Sequence, residues 1–229
     1  MLTQVSNAGN PTGLVYLLNF STPFNTSSNF TDLFTTISKA PGGGGNANNI
    51  GPQYLDGAML ANDYQWVTYG GQLDVTDAWK APDKDSIAKY MKFQSGPPRQ
   101  FESGWQLDEL PENITRYITH GAAVSVPSED LAFYFGGMRA RDWGPIYTPS
   151  GNASQLSPTL IQVDMSSQLQ ETWKNRTLPP EVPGRANPEI VWVPVSERGI
   201  LVAIGGVIFP SYEARGQKNN ASATVQSVS

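Results

Sequence analysis

An apolar run ending in two glycines occurs three times in this chain of 229 residues: Trp66-Val67-Thr68-Tyr69-Gly70-Gly71, Leu131-Ala132-Phe133-Tyr134-Phe135-Gly136-Gly137 and Ile200-Leu201-Val202-Ala203-Ile204-Gly205-Gly206. The second glycines fall at 71, 137 and 206, spacings of 66 and then 69 residues. No other feature constrains the fold as strongly, because a unit recurring at a near-fixed period buries its apolar faces against its own copies. Each run follows a second apolar run across a short polar gap, as in His120-Gly121-Ala122-Ala123-Val124-Ser125-Val126-Pro127 before Ser128-Glu129-Asp130. Runs this short, rich in β-branched and aromatic residues, predict hairpins rather than helices. The run into the glycines is almost continuously apolar, as expected of a strand covered on both faces. Two successive glycines then permit positive φ and the close approach of another backbone.

Apolar strand, Gly-Gly, later strand, later Trp resembles the kelch repeat of β-propellers, with Trp105 and Trp173 as the later tryptophans. The stretch Gly184-Arg185-Ala186-Asn187-Pro188-Glu189-Ile190-Val191-Trp192-Val193-Pro194 leading into Gly205-Gly206 is most similar to filamentous-fungal kelch-repeat proteins of the galactose oxidase/kelch-like superfamily. The resemblance implies an all-β chain built from four-stranded blades. Residues 1–209 then form one domain: a half blade at 14–40, blades at 54–110 and 117–178, and a half blade at 187–209. The third and outer strands are expected near Ile87 to Phe93 and Trp105 in one blade, and near Leu160 to Met165 and Trp173 in the next. Pro41-Gly42-Gly43-Gly44-Gly45-Asn46 reads as a linker, since no Gly-Lys-Ser/Thr follows it. The polar tail at 210–229 is expected to be disordered.

With 39% apolar and 15% charged residues, the chain can bury a core under a sparsely charged surface. A formal charge of −5, a pI near 4.9 and the lack of a basic stripe argue against nucleic acid as a partner. No apolar run approaches the ~20 residues of a membrane helix, and the polar start has no signal-peptide plan. Seven glycosylation sequons begin at Asn19, Asn25, Asn29, Asn113, Asn152, Asn175 and Asn220. Composition alone would supply roughly two. The excess predicts a parent protein that travels the secretory route to the cell surface or outside.

The superfamily includes copper-radical galactose oxidases, whose centre, as the resemblance implies, needs a Tyr-Cys crosslink and two histidines. This chain has no Cys and one histidine, His120, which reads as a turn or core residue. Zinc sites of sulfur and imidazole lack their ligands as well. Asp74, Asp77, Asp83 and Asp85 miss the spacing of a calcium loop, and Lys80 and Lys84 among them indicate a solvated loop, as do Asp108, Glu109 and Glu112 elsewhere. No Gly-x-Ser-x-Gly elbow is present. No cofactor or catalytic residue is therefore expected, and the reading is a binding module for a glycan or protein. The alternatives are part of an enzyme whose catalytic residues lie outside this chain, or a structural cell-surface spacer.

A recurring aromatic follows each glycine pair: Trp79, Trp143 and Tyr212. In up-and-down blades these loops share one face, so the three rings, with Arg139, Arg141 and Asp142, form the candidate ligand site. The competing reading has the rings seal neighbouring blades. Finally, third and fourth strands at one end and first and second strands at the other are complementary, and joined they would complete a blade. Three blades are too few for a closed ring. The expectation is an open arc: a piece of a larger propeller, the favoured reading, or two copies exchanging half blades.

Overall fold

Alternation of apolar and small residues along each run builds antiparallel sheets with two usable faces, and the glycine pairs set how those sheets meet. The computed structural model describes residues 14–21, 23–25, 27, 29–38, 54–73, 86–91, 104–139, 155–167, 170–208 and 225–228. In chain order the strands are β1 (Leu14–Leu18), β2 (Phe34–Ser38), β3 (Tyr54–Leu55), β4 (Ala58–Ala61), β5 (Gln65–Tyr69), β6 (Gln72–Leu73), β7 (Ser86–Met91) and β8 (Gly104–Glu109). They continue as β9 (Thr119–Val126), β10 (Leu131–Arg139), β11 (Gln155–Leu156), β12 (Leu160–Asp164), β13 (Thr172–Arg176), β14 (Glu189–Val193), β15 (Ile200–Ile204) and β16 (Val225–Val228). Short 3-10 turns at Phe30–Leu33 and Pro127–Glu129 are the helical elements among the described residues.

The strands pair as the hairpin reading requires. A leading pair β1-β2 is followed by a first complete sheet, β4-β5-β7-β8. A central sheet runs β9-β10-β12-β13, with β11 on the end of β10. The last sheet is β14-β15-β16, and a small β3-β6 ladder pairs Tyr54–Leu55 with the Gln72–Leu73 segment that follows the first glycine pair. The chain is thus all-β and antiparallel, with Trp105 on β8 opposite Tyr90 and Trp173 on β13 opposite Val163. One expectation is corrected. The tail is not wholly irregular, because Val225–Val228 pairs with Leu201–Ile204 along β15. The leading pair β1-β2 and the last sheet are separate, and β16 takes the edge of β15. A polar strand suffices there, since an edge asks of its neighbour chiefly backbone donors and acceptors.

Two cores lie between sheets. Ala132 and Tyr134 of β10 face the first complete sheet and pack with Leu60, Val67, Tyr69 and Trp173. Phe135 and Phe133, on the opposite face of the same strand, pack with Ile190, Leu201 and Ala203 of the last sheet. Period-two alternation on one strand thus supplies two cores. Tyr69 and Tyr134 meet edge to face at 4.9 Å, and Tyr69 lies 5.4 Å from the Trp173 ring. Across the same junction, buried Lys89 pairs with Asp108 of its own sheet and with Glu171, 2.9 Å away, of the next. A smaller cluster of Val15, Ile37 and Leu17 sets the leading pair against Trp66.

The glycines hold the sheets in register. Gly70, Gly136 and Gly205 have φ of 73°, 71° and 66°, and Gly71, Gly137 and Gly206 have 93°, 96° and 87°. Gly71 N–H donates to the Ile118 carbonyl at 2.7 Å, and Gly137 N–H to the Arg185 carbonyl at 2.8 Å. Both acceptors lie two residues before the next inner strand turns at a left-handed residue, His120 and Asn187, equivalent to Asp56 in the first sheet. These three residues are linked in series: His120 N–H donates to the Asp56 carbonyl at 3.3 Å, and Asn187 N–H to the His120 carbonyl at 2.6 Å. A Cβ on Gly70 would lie 2.5 Å from the Ile118 oxygen, and one on Gly136 2.6 Å from the Arg185 oxygen.

Two predictions arise from this packing. Gly→Ala at an unstrained site usually stabilises by ~0.4–1 kcal/mol, but Gly136→Ala combines left-handed strain with collision against a carbonyl and should cost about 3 kcal/mol or more in urea unfolding. A neutral or stabilised variant would show that the junction does not depend on that close approach. The second concerns Tyr134, whose hydroxyl accepts from Gly121 N–H at 3.0 Å. Burial raises its pKa well above the ordinary 10.0. The unfolded chain therefore releases this proton first, so stability is whole below pH 10.0 and declines as pH rises beyond it. Tyr134→Phe should flatten that alkaline decline in thermal melts, apart from a pH-independent loss of ~1–3 kcal/mol for the stranded Gly121 donor.

Candidate functional site

At the strand ends opposite the glycines, the two inter-sheet junctions differ. At the first, Asn62 in the β4-β5 turn donates to Asp130 Oδ1 at 2.8 Å and to the Met165 carbonyl at 3.1 Å. Ala61 N–H donates to Ser125 Oγ at 2.9 Å, so first and central sheets are tied together there. At the second junction the β14-β15 turn is longer, running through Val195, Ser196, Glu197, Arg198 and Gly199. It stands beside the Pro127–Glu129 turn, and a cleft of about 490 Å³ opens between the central and last sheets.

The floor of the cleft is apolar, with Phe133 and Leu131 from β10 and Leu201 from β15. Trp192 of β14 forms a wall. Gly199, at φ 66°, packs so closely on the Trp192 indole that a Cβ there would overlap the ring. The glycine therefore leaves room for the indole where it lies, and a side chain at 199 would displace it. Charges gather at the mouth: Glu129 from one turn, Glu197 and Arg198 from the other, and Arg176 from the end of β13. Arg176 Nε donates to Gln162 Oε1 at 2.7 Å, which orients the guanidinium while leaving its terminal nitrogens for other acceptors. An aromatic wall over an apolar floor, rimmed by two carboxylates and two guanidinium groups, suits a ligand with one apolar face and a hydroxyl- or amide-bearing edge.

Of the residues expected to bind ligand from the sequence, Arg139 is the one that lies among the described residues. Trp79, Trp143, Tyr212, Arg141 and Asp142 lie outside the described residues, as do the acidic loop Asp74 to Asp85 and the sequons at Asn152 and Asn220. Arg139 is half-buried at the end of β10, next to the β11 ladder and at the glycine end of the strand, away from the cleft. Trp173 is buried between sheets. His120 is a junction residue: its backbone serves the series of left-handed residues, and its Nε2 lies 3.8 Å from Asp56 Oδ2. Sequence reasoning missed the cleft because it followed the loops after the glycines. The available signal was Trp192 followed seven residues later by a glycine, with Arg198 beside it.

No protein-family model matches the chain, and no curated protein does. Among solved structures, that of YjhT aligns with 86% of this chain and 54% of its own length, at 17% identity and a TM-score of 0.44. The chain thus spans about half the length of that protein.

Proposed function

We infer that the chain is a kelch-type β-propeller module that binds, without catalysis, a glycan or protein segment in the cleft between its central and last sheets. The observation that carries the reading is the Trp192 wall, packed against Gly199 and rimmed by Arg176, Arg198, Glu129 and Glu197. Aromatic surface for the apolar face of a sugar or side chain, with charge-assisted hydrogen bonds at its edge, is the usual division of labour in such recognition. The kelch reading is supported by the three glycine pairs, two of which meet the next repeat through the same backbone bond. The propeller reading is supported by the regular face-to-face stacking of antiparallel sheets.

A secretory route fits this reading. Asn19, Asn25, Asn29, Asn113 and Asn175 are exposed, and each of the first three accepts a hydrogen bond from the hydroxyl-bearing residue of its own sequon. Asn175 alternates with Arg176 along β13, so a glycan there would project from the face opposite the cleft.

The test is a glycan array and an immobilised peptide library probed with the wild type and with Trp192→Ala, Arg198→Ala, Trp79→Ala and Trp143→Ala. Trp192→Ala should lower affinity about tenfold or more, equivalent to ~1.4 kcal/mol, and Arg198→Ala by a smaller factor at an unchanged melting temperature. Affinity lost in the Trp79 and Trp143 variants but kept in the other two would move the site to the glycine face.

A further inference from the structure

The three repeats expose two matching half-interfaces on one molecule. Within the stack, the face of β5 carrying Val67 and Tyr69 is covered by the central sheet, and the face of β10 carrying Phe133 and Phe135 by the last sheet. Aligning the glycine pairs places Ile204 where Tyr69 and Phe135 stand. Tyr69 and Phe135 are 2% and 1% exposed, whereas Ile204 is 40% exposed. Val191, paired with Val202 on the same outward face, is 42% exposed, although its counterpart Leu60 in the first complete sheet is wholly buried. The backbone repeats the contrast: among the described residues no atom lies within 4 Å of the place a Cβ would take on Gly205, whereas Ile118 and Arg185 carbonyls fill that place at Gly70 and Gly136.

The receiving half is at the other end of the stack. Met59 pairs with Thr68 as Ile190 pairs with Ala203, in equivalent positions before the glycines. Ile190 is 6% exposed beneath the central sheet, and Met59 is 48% exposed. The leading pair β1-β2 covers the neighbouring Trp66 and leaves Met59 open. The lead-in carbonyl equivalent to those of Ile118 and Arg185 belongs to Tyr54, two residues before left-handed Asp56.

We propose that a second copy of this chain covers both halves: the outward face of β14-β15, with Val191, Val202 and Ile204, docks on the Met59 face of β4-β5 of its partner, and the reverse contact closes a two-fold ring. Each junction repeats the two inside the chain, with the Tyr54 carbonyl as acceptor for Gly206 N–H. Both halves sit on one molecule and are exposed together, so a single chain does not bring them into contact. Two copies do, in a head-to-tail arrangement that consumes every such face. If the propeller reading holds, the ring contains six blades, within the ~4–8 that close. Docking would bring the partner's leading pair, which packs on Trp66, beside β15, whose edge β16 takes in the single chain.

Light scattering after size exclusion, on the whole 229-residue chain, tests this. The wild type should run at about twice 24.9 kDa. Ile204→Asp and Met59→Asp, each at a side chain exposed in the single chain, should each run as a 24.9 kDa monomer with an unchanged circular dichroism spectrum. A wild type that is monomeric, or that forms a polydisperse series of larger species, overturns the proposal. So does a dimer that survives both substitutions. Ligand binding in the cleft is independent of this result, since the cleft lies between two sheets of one chain.

Discussion

One backbone hydrogen bond, from the second glycine of the first and second pairs to a carbonyl of the following repeat, sets the geometry on which the rest depends. Gly71 to Ile118 and Gly137 to Arg185 place two backbones so close that no side chain fits between them. A buried N–H left without an acceptor would cost about as much as the bond contributes, so these positions are satisfied or the junction opens. With the strand ends fixed, face-to-face packing follows, and β10 buries Tyr134 on one side and Phe135 on the other. Arg185 adds a second tie by donating through Nη1 to the Gly205 carbonyl at 2.7 Å, and its burial lowers the pKa of its guanidinium.

Much of this was legible in the sequence because glycine pairs and apolar alternation act locally. The runs around Phe135, Ile161 and Trp173 become β10, β12 and β13 where expected, since their burial pattern is their hydropathy pattern. β16 was not legible. Val225–Val228 lies in a polar tail, and its strand conformation comes from the free edge of β15, which composition does not encode. The left-handed lead-in residues were visible but went unread: Asp56, His120 and Asn187 are residue types enriched at positive φ, spaced like the glycines. Lys89 with Glu171 was out of reach too, because the partners stand on different sheets and only burial makes them pair.

The cleft illustrates a limit of reading along the chain. Its walls come from Phe133 and Trp192, on separate repeats, and its presence depends on a difference between turns: Asn62 reaches Asp130 across the first junction, and the longer turn at Glu197 and Arg198 stands off across the second. The repeat fixes strand spacing while the turns vary, so the scaffold can keep its cores and still open one junction. Variable turns over a rigid sheet stack are the expected arrangement. The outward face of the last sheet follows from the same regularity, since a repeat ending in Ile204 and Gly205 carries forward the surface that its predecessors bury.

The most direct test of the account is amide hydrogen exchange at the glycines. If the inter-repeat backbone bonds are the constraint on which the stack rests, the Gly71 and Gly137 amides should open only with global unfolding, as slowly as the amides of Tyr134 and Ile161 in the centre of the core. Rapid exchange at both glycines, while those core amides remain protected, would contradict it: the sheets would then be held by their faces alone.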